Sequence, residues 1–158
     1  MTSAVRRGVD SDAEELTVLF LRSRGRAMPW LTSPHDERST RWWMQHVLLT
    51  DQHVRVAHEG SRLVGFAAVA GGWLEQLYVD PDHQGRGVGR ALLEDAKRLR
   101  PGGLRLHVFT RNEPARRFYE AAGFVLVQQS DGQDNEEQEP DCTYAWTLGG
   151  TCPPPRAS

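Results

Sequence analysis

The run Gln84-Gly85-Arg86-Gly87-Val88-Gly89 lies between Leu77-Tyr78-Val79, which reads as a strand ending at Asp80-Pro81, and Val88-Gly89-Arg90-Ala91-Leu92-Leu93, which reads as the start of a helix. Backbone N–H groups at a helix start have no intrahelical partner and stand at the positive end of the macrodipole. Glycines at 85, 87 and 89 carry no side chain to keep an anion away, so a diphosphate fits there. Downstream, Tyr119 stands seven residues after Asn112, almost two helical turns, which puts both on one face. Tyr119 is a candidate acid, while Glu75 and His107 are residue types that can take a proton.

Two glycine-rich motifs fail on this run. A Walker A loop needs a Lys-Ser or Lys-Thr after the glycines, and none follows. A dinucleotide fingerprint needs G-x-G-x-x-G and an acid about 20 residues on; Arg90 and Leu92 occupy the third-glycine positions, and the next segment brings Arg105 and His107 instead of an acid. What does match is [Q/R]-x-x-G-x-[G/A], filled by Gln84, Gly87 and Gly89. With Leu77-Tyr78-Val79-Asp80-Pro81 before it and Asn112…Tyr119 after it, the segment resembles the GNAT superfamily of N-acetyltransferases. The resemblance is clear from Leu63 to Phe124, extends to the C-terminal strands, and is faint over the first 50 residues.

The resemblance implies roles. Gln84, Gly85, Arg86, Gly87, Val88, Gly89 and Arg90 would hold the diphosphate of acetyl-CoA. The strand at Leu77, Tyr78 and Val79 would bulge, part from the strand at Leu104–Val108, and pair its backbone with the pantetheine arm, which Asn112 also contacts. Tyr119 would point its hydroxyl at the thioester sulfur. Glu75 lies where many relatives carry the carboxylate that deprotonates the amine, and His107 lies where some protein-acetylating relatives place a catalytic Glu; Glu75 ranks above His107. Spacing alone leaves other readings open: Tyr119 as a core aromatic beside Phe118, Asn112 as a helix cap, Glu75 as an exposed strand carboxylate, and His107 as a structural residue.

An acceptor pocket in such a fold is built by the two N-terminal helices and the last strands. Trp30 and His35 are candidate substrate contacts, with Trp42 and Trp43 as further lining and Tyr144-Ala145-Trp146 in the same neighbourhood. Ser130–Asp141 carries six acids and no base, in a chain of net charge −2. Glu136, Glu137 and Asp141 would therefore attract a cationic amine; a solvated loop is the other reading.

These residues need a frame. Arg6–Val9 reads as a short strand, Ser11 or Asp12 caps a helix through Leu16, Leu19 and Phe20, and Asp36–Leu49 reads as a second helix. Val54–Glu59 and Leu63–Ala70 form a hairpin turning at Gly60-Ser61, followed by a strand at Trp73–Val79. The helix Gly87–Leu99 then crosses over to a strand at Leu104–Val108, right-handed and parallel. A helix begun by Asn112 and Pro114 ends at Gly123, and strands at Phe124–Gln129 and Cys142–Leu148 close the chain. The fold class is α/β of the α+β type: a GNAT-like mixed, mostly antiparallel sheet of six to seven strands, about four helices and one parallel crossover at the cofactor cleft.

The 158 residues, 39% hydrophobic and 25% charged, bound a single domain over 1–149, with a disordered tail over 150–158. The charge balance points away from nucleic acid and anionic membranes. No apolar run reaches a spanning length, and Met1–Asp10 lacks a signal-peptide core. Cys142 and Cys152 make no disulfide framework, and the six histidines show no metal-ligand spacing. A cytoplasmic enzyme is expected, for which a homodimer is compatible. It would transfer an acetyl group from acetyl-CoA to a primary amine, a cationic small molecule, by direct attack in a ternary complex. The alternatives are a protein Lys or N-terminal amine acceptor, and a non-catalytic acyl-CoA-binding regulatory module.

Overall fold

The computed structural model describes residues 4–31 and 36–148. The strands are β1 (Ala4–Arg7), β2 (His53–Glu59), β3 (Arg62–Ala70), β4 (Trp73–Val79), β5 (Leu104–Phe109), β6 (Val125–Ser130) and β7 (Asp141–Trp146). The helices are α1 (Ala13–Ala27), α2 (Glu37–Trp43), α3 (Leu49–Asp51), α4 (Val88–Leu99) and α5 (Glu113–Ala121); a π-helical turn over Met44–Leu48 joins α2 to α3 without a break. The seven strands make one sheet in the order β1-β2-β3-β4-β5-β7-β6. Every pairing is antiparallel except β4–β5, which the α4 crossover makes parallel. No described helix is long and apolar enough to cross a membrane. The proposed tail lies outside the described residues.

Each face of the sheet carries its own helices. On one, Val88, Leu92, Leu93 and Ala96 of α4 and Tyr119 of α5 pack against Val64, Ala67, Val69, Leu104 and Leu106. On the other, Leu16, Leu19 and Phe20 of α1 meet Met44 and Leu48 over Val54, Val56 and Phe66. The inward stripe of α2 and the π turn is Thr40, Met44 and Leu48, a four-residue helical repeat. Trp42 falls off that stripe, is 58% exposed, and stacks on His46 at 4.9 Å.

Gly65 on β3 decides how closely α4 can approach. A Cβ there would sit 3.0 Å from Leu92 Cδ1, 3.0 Å from the Tyr78 carbonyl and 3.1 Å from Val88 Cγ1. A Cβ there requires these neighbours to give by a few tenths of an ångström. Since α4 carries the glycine loop at its start, this contact also sets where that loop stands relative to β4.

Candidate active site

Pairing along β4 is one-sided. With β3 it runs from Trp73 to Val79, whereas with β5 it is confined to Trp73 opposite Arg105. Its register with β3 also shifts: Leu74 faces Val69 and Gln76 faces Ala68, which leaves Glu75 as the extra residue of a β-bulge. A bulge bends its strand and raises the local twist, and here β4 and β5 diverge from that point. The expectation of a bulged, parting strand is met, but the bulge stands at Glu75, ahead of Leu77–Val79. The edge of β4 that faces β5 is left without a sheet partner.

The divergence opens a cavity of about 280 Å³. Leu74, Glu75, Gln76, Leu77 and Tyr78 form one wall, and His107, Val108 and Phe109 the opposite one. Asn112, Ala115 and Tyr119 of the α5 segment, with Met28, Asn135, Glu137 and Asp141, complete the lining. All three sequence candidates for proton chemistry thus meet at one cavity.

Tyr119 is buried, its ring held edge-on by Phe118 at 5.2 Å and Phe124 at 5.7 Å. Burial pushes its hydroxyl well above the ordinary tyrosine value, with a smaller push from Tyr78, so it stays a proton donor across the neutral range. Asn112 caps α5, its Oδ1 accepting from Ala115 N at 3.3 Å. It therefore acts as a cap and lines the cavity as well. Glu75 is exposed on its bulge. His107 is also exposed, stacks on Trp73 at 4.6 Å, and has Nδ1 3.1 Å from Thr143 Oγ1.

The glycine loop has the shape an anion needs. Gly85 (φ 78°) and Gly87 (φ 83°) are left-handed, a conformation that other residues adopt at a cost, and no atom lies within 4 Å of a Cβ built on either. Gly87 starts α4 with no capping side chain, so the first N–H groups of the helix are uncapped. Gly89 is different. A Cβ there would make ordinary contacts, 3.4 Å to Phe118 and 3.5 Å to Val79, so backbone strain does not require it.

The acceptor side differs from expectation in several places. Glu137 lines the cavity but is already paired: Arg24 Nη2 donates to its Oε1 at 3.1 Å. Glu139, likewise, accepts from Arg111 at 3.3 Å, so the six-acid loop is partly neutralised. Asp141 lines the cavity, with Asn135 Nδ2 3.4 Å from its Oδ2, whereas Glu136 is exposed and outside the lining. Trp30 stands beside the site, edge-on to Phe109 at 6.0 Å and covered by the Arg111 guanidinium at 4.3 Å. His35 lies outside the described residues.

Trp42 and Trp43 do not line the cavity: the first faces outward, and the second packs on Phe20 at 5.5 Å. Tyr144 and Trp146 are also elsewhere. Strand alternation turns Thr143, opposite His107, to the cavity side and Tyr144 to the α5 side; there the Tyr144 hydroxyl donates to Glu120 at 2.5 Å and accepts from Arg116 at 3.1 Å. Trp146 lies under the Lys97 ammonium at 4.9 Å. Sequence reading missed Met28, Gln76, Phe109 and Asn135. Alternation from His107 would have found Phe109; nothing local marks the others. Among the described residues no group of three or more His, Cys, Asp or Glu could hold a metal ion.

Comparison with known proteins follows this geometry. The family model described as "Acetyltransferase (GNAT) domain" matches residues 50–126. The peptidyl-lysine N-acetyltransferase YjaB of Escherichia coli K12 is 31% identical over 135 residues, covering 85% of this chain and 90% of that protein. The solution structure of apo YjaB from Escherichia coli superposes with a TM-score of 0.77 at 29% identity, over 92% of this chain and 97% of that one. The structure of yncA from Salmonella typhimurium with acetyl-CoA reaches a TM-score of 0.70 at 19% identity, over 98% of both chains.

Proposed function

The chain belongs to the GNAT acetyltransferase family, and from that premise we infer that its acceptor is the side-chain amine of a lysine in a protein or peptide. It is an N-acetyltransferase with acetyl-CoA as acyl donor. The observation that carries the acceptor is similarity, over nearly the full length of both chains, to a peptidyl-lysine N-acetyltransferase.

The site fits the donor. Open space over Gly85 and Gly87, the uncapped start of α4 and the unpaired edge of β4 are what a diphosphate and an amide-bearing arm require. Gln84 to Arg90 would hold the diphosphate, and the backbone of Leu77, Tyr78 and Val79, with Asn112, the arm. Acetyl-CoA supplies an acetyl thioester there. The residues of the chain do the rest. Glu137 and Asp141, both in the cavity lining, orient the incoming ammonium. Glu75, directly or through water, removes its proton so that the nitrogen can attack, with His107 as the alternative base. Tyr119 holds a proton at Oη for the departing sulfur, and burial keeps it there.

A small cationic amine is the second reading, favoured by the three carboxylates Glu75, Glu137 and Asp141 around one cavity of about 280 Å³. The test is acetyl-CoA with a panel of lysine-containing peptides and small polyamines, read by thiol release and by mass spectrometry of the acetylated atom. Acetylation at lysine Nζ supports the first reading. Turnover confined to polyamines overturns it.

A further inference from the structure

Immediately before the glycine loop lies a largely buried cluster of side chains that the transfer chemistry does not use. His83 immediately precedes Gln84, and its imidazole stands between two carboxylates: Nδ1 is 3.1 Å from Asp80 Oδ2 and Nε2 is 3.4 Å from Glu59 Oε2. The three side chains are 13%, 4% and 15% exposed respectively. Asp80 follows β4 and Glu59 ends β2, so the ring joins the ends of two strands immediately before the loop. On the far side of Glu59, Arg86 of the loop approaches the same Oε2 at 3.7 Å.

The two carboxylates are not equally provided for. Asp80 also accepts from Arg62 Nη2 at 3.1 Å and has Arg22 Nη1 at 3.4 Å, while Asp82 accepts from Arg22 Nη2 at 3.1 Å. Among the described residues Glu59 has His83 and the largely exposed Arg86 beside it. Among them too, His83 is the side chain that reaches both carboxylates, hydrogen-bonded to Asp80 through Nδ1 and in contact with Glu59 through Nε2.

We propose that Asp80, His83 and Glu59 form a clamp that positions the cofactor loop. These are positioning residues, acting on acetyl-CoA through residues 84–87 and Arg86; the inference rests on the reading of that loop as the diphosphate site. Loss of the imidazole frees Glu59, and with it the tether on Arg86. Cofactor binding then weakens with no change in the groups that carry out transfer.

The test is isothermal titration calorimetry of CoA, which needs no acceptor, on the wild type, His83→Gln, Glu59→Gln and the double variant. His83→Gln should bind on the order of tenfold more weakly than wild type. The double variant should be no weaker than the worse single variant, because the pair acts as one unit. Wild-type affinity in His83→Gln, or additive losses, overturns the clamp. Unliganded melting curves report folding, and if His83→Gln does not fold, Glu59→Gln carries the same test. If wild-type protein fails to bind CoA, the diphosphate placement falls and the clamp with it.

Discussion

His107 Nδ1 lies 3.1 Å from Thr143 Oγ1, and the two residues are direct partners in the β5–β7 register. Stacking on Trp73 at 4.6 Å holds the ring from the side. With one ring nitrogen engaged, Nε2 is the one left for the cavity. His107 is thus pre-oriented by two strands, whereas Glu75 owes its place to a bulge, and the two candidate bases can be separated by experiment.

Glu75→Gln is expected to lower kcat/KM by roughly 10²- to 10³-fold. Thr143→Val, which frees the His107 ring, should then change turnover by no more than about twofold. If instead His107→Gln causes the large loss while Glu75→Gln stays near wild type, the base is His107.

Tyr119→Phe removes one oxygen from a packed ring. Turnover should fall by on the order of 10²-fold or more with acetyl-CoA affinity kept. Stability carries a second signature. The folded-state pKa of Tyr119 is raised above the ordinary 10.0. Above that value the unfolded chain loses the proton while the folded one keeps it, so stability declines as pH rises past it. In the Phe variant, melting temperatures measured from neutral pH upward should show a shallower alkaline decline; an unchanged slope would contradict the buried hydroxyl.

Glu137→Gln and Asp141→Asn should each raise the acceptor KM several-fold with kcat nearly unchanged, since each removes a carboxylate from the cavity lining. Glu136→Gln, outside the lining, should alter neither. Added salt should raise KM for the wild type and do so less for the two cavity variants, because these charges are partly exposed to solvent. Equal effects at 136 and 137 would mean that the loop acts only through its net charge.

Gly65→Ala places a methyl group against Leu92, Val88 and the Tyr78 carbonyl, all within 3.1 Å. Overpacking of this kind costs about 1–3 kcal/mol. Denaturant titration should show the loss, and acetyl-CoA affinity should fall with it as α4 shifts. A variant as stable as wild type would mean that α4 has room to move.

The order of elements was legible because each carries its own local signal. Asn112 and Pro114 open α5, Gly123 closes it at φ 93°, and the β2–β3 hairpin turns at Gly60. The loop was legible for the same reason: Gly85 and Gly87 occupy backbone conformations that other residues resist, so the requirement is written in the residues themselves. The acceptor side was not. Trp42 and Trp43 are aromatics on a helix, and which of them faces inward depends on the phase of α2, set by Thr40, Met44 and Leu48 packing on a sheet distant in sequence.

Charge shows the same division. The six acids of 130–141 are plain in the chain, but the sequence is silent on their partners. Arg24 reaches Glu137 across 113 positions and Arg111 reaches Glu139 across 28, and only folding brings such groups within range. By itself the sequence determined the family, the order of elements and the glycine loop at the start of α4, all of which rest on backbone preferences and spacing within a few residues. The tertiary structure alone decided that Glu75 is the bulged residue, that Thr143 holds His107, and that His83 sits between Asp80 and Glu59. Each of these depends on strand register and long-range approach, which no local pattern encodes.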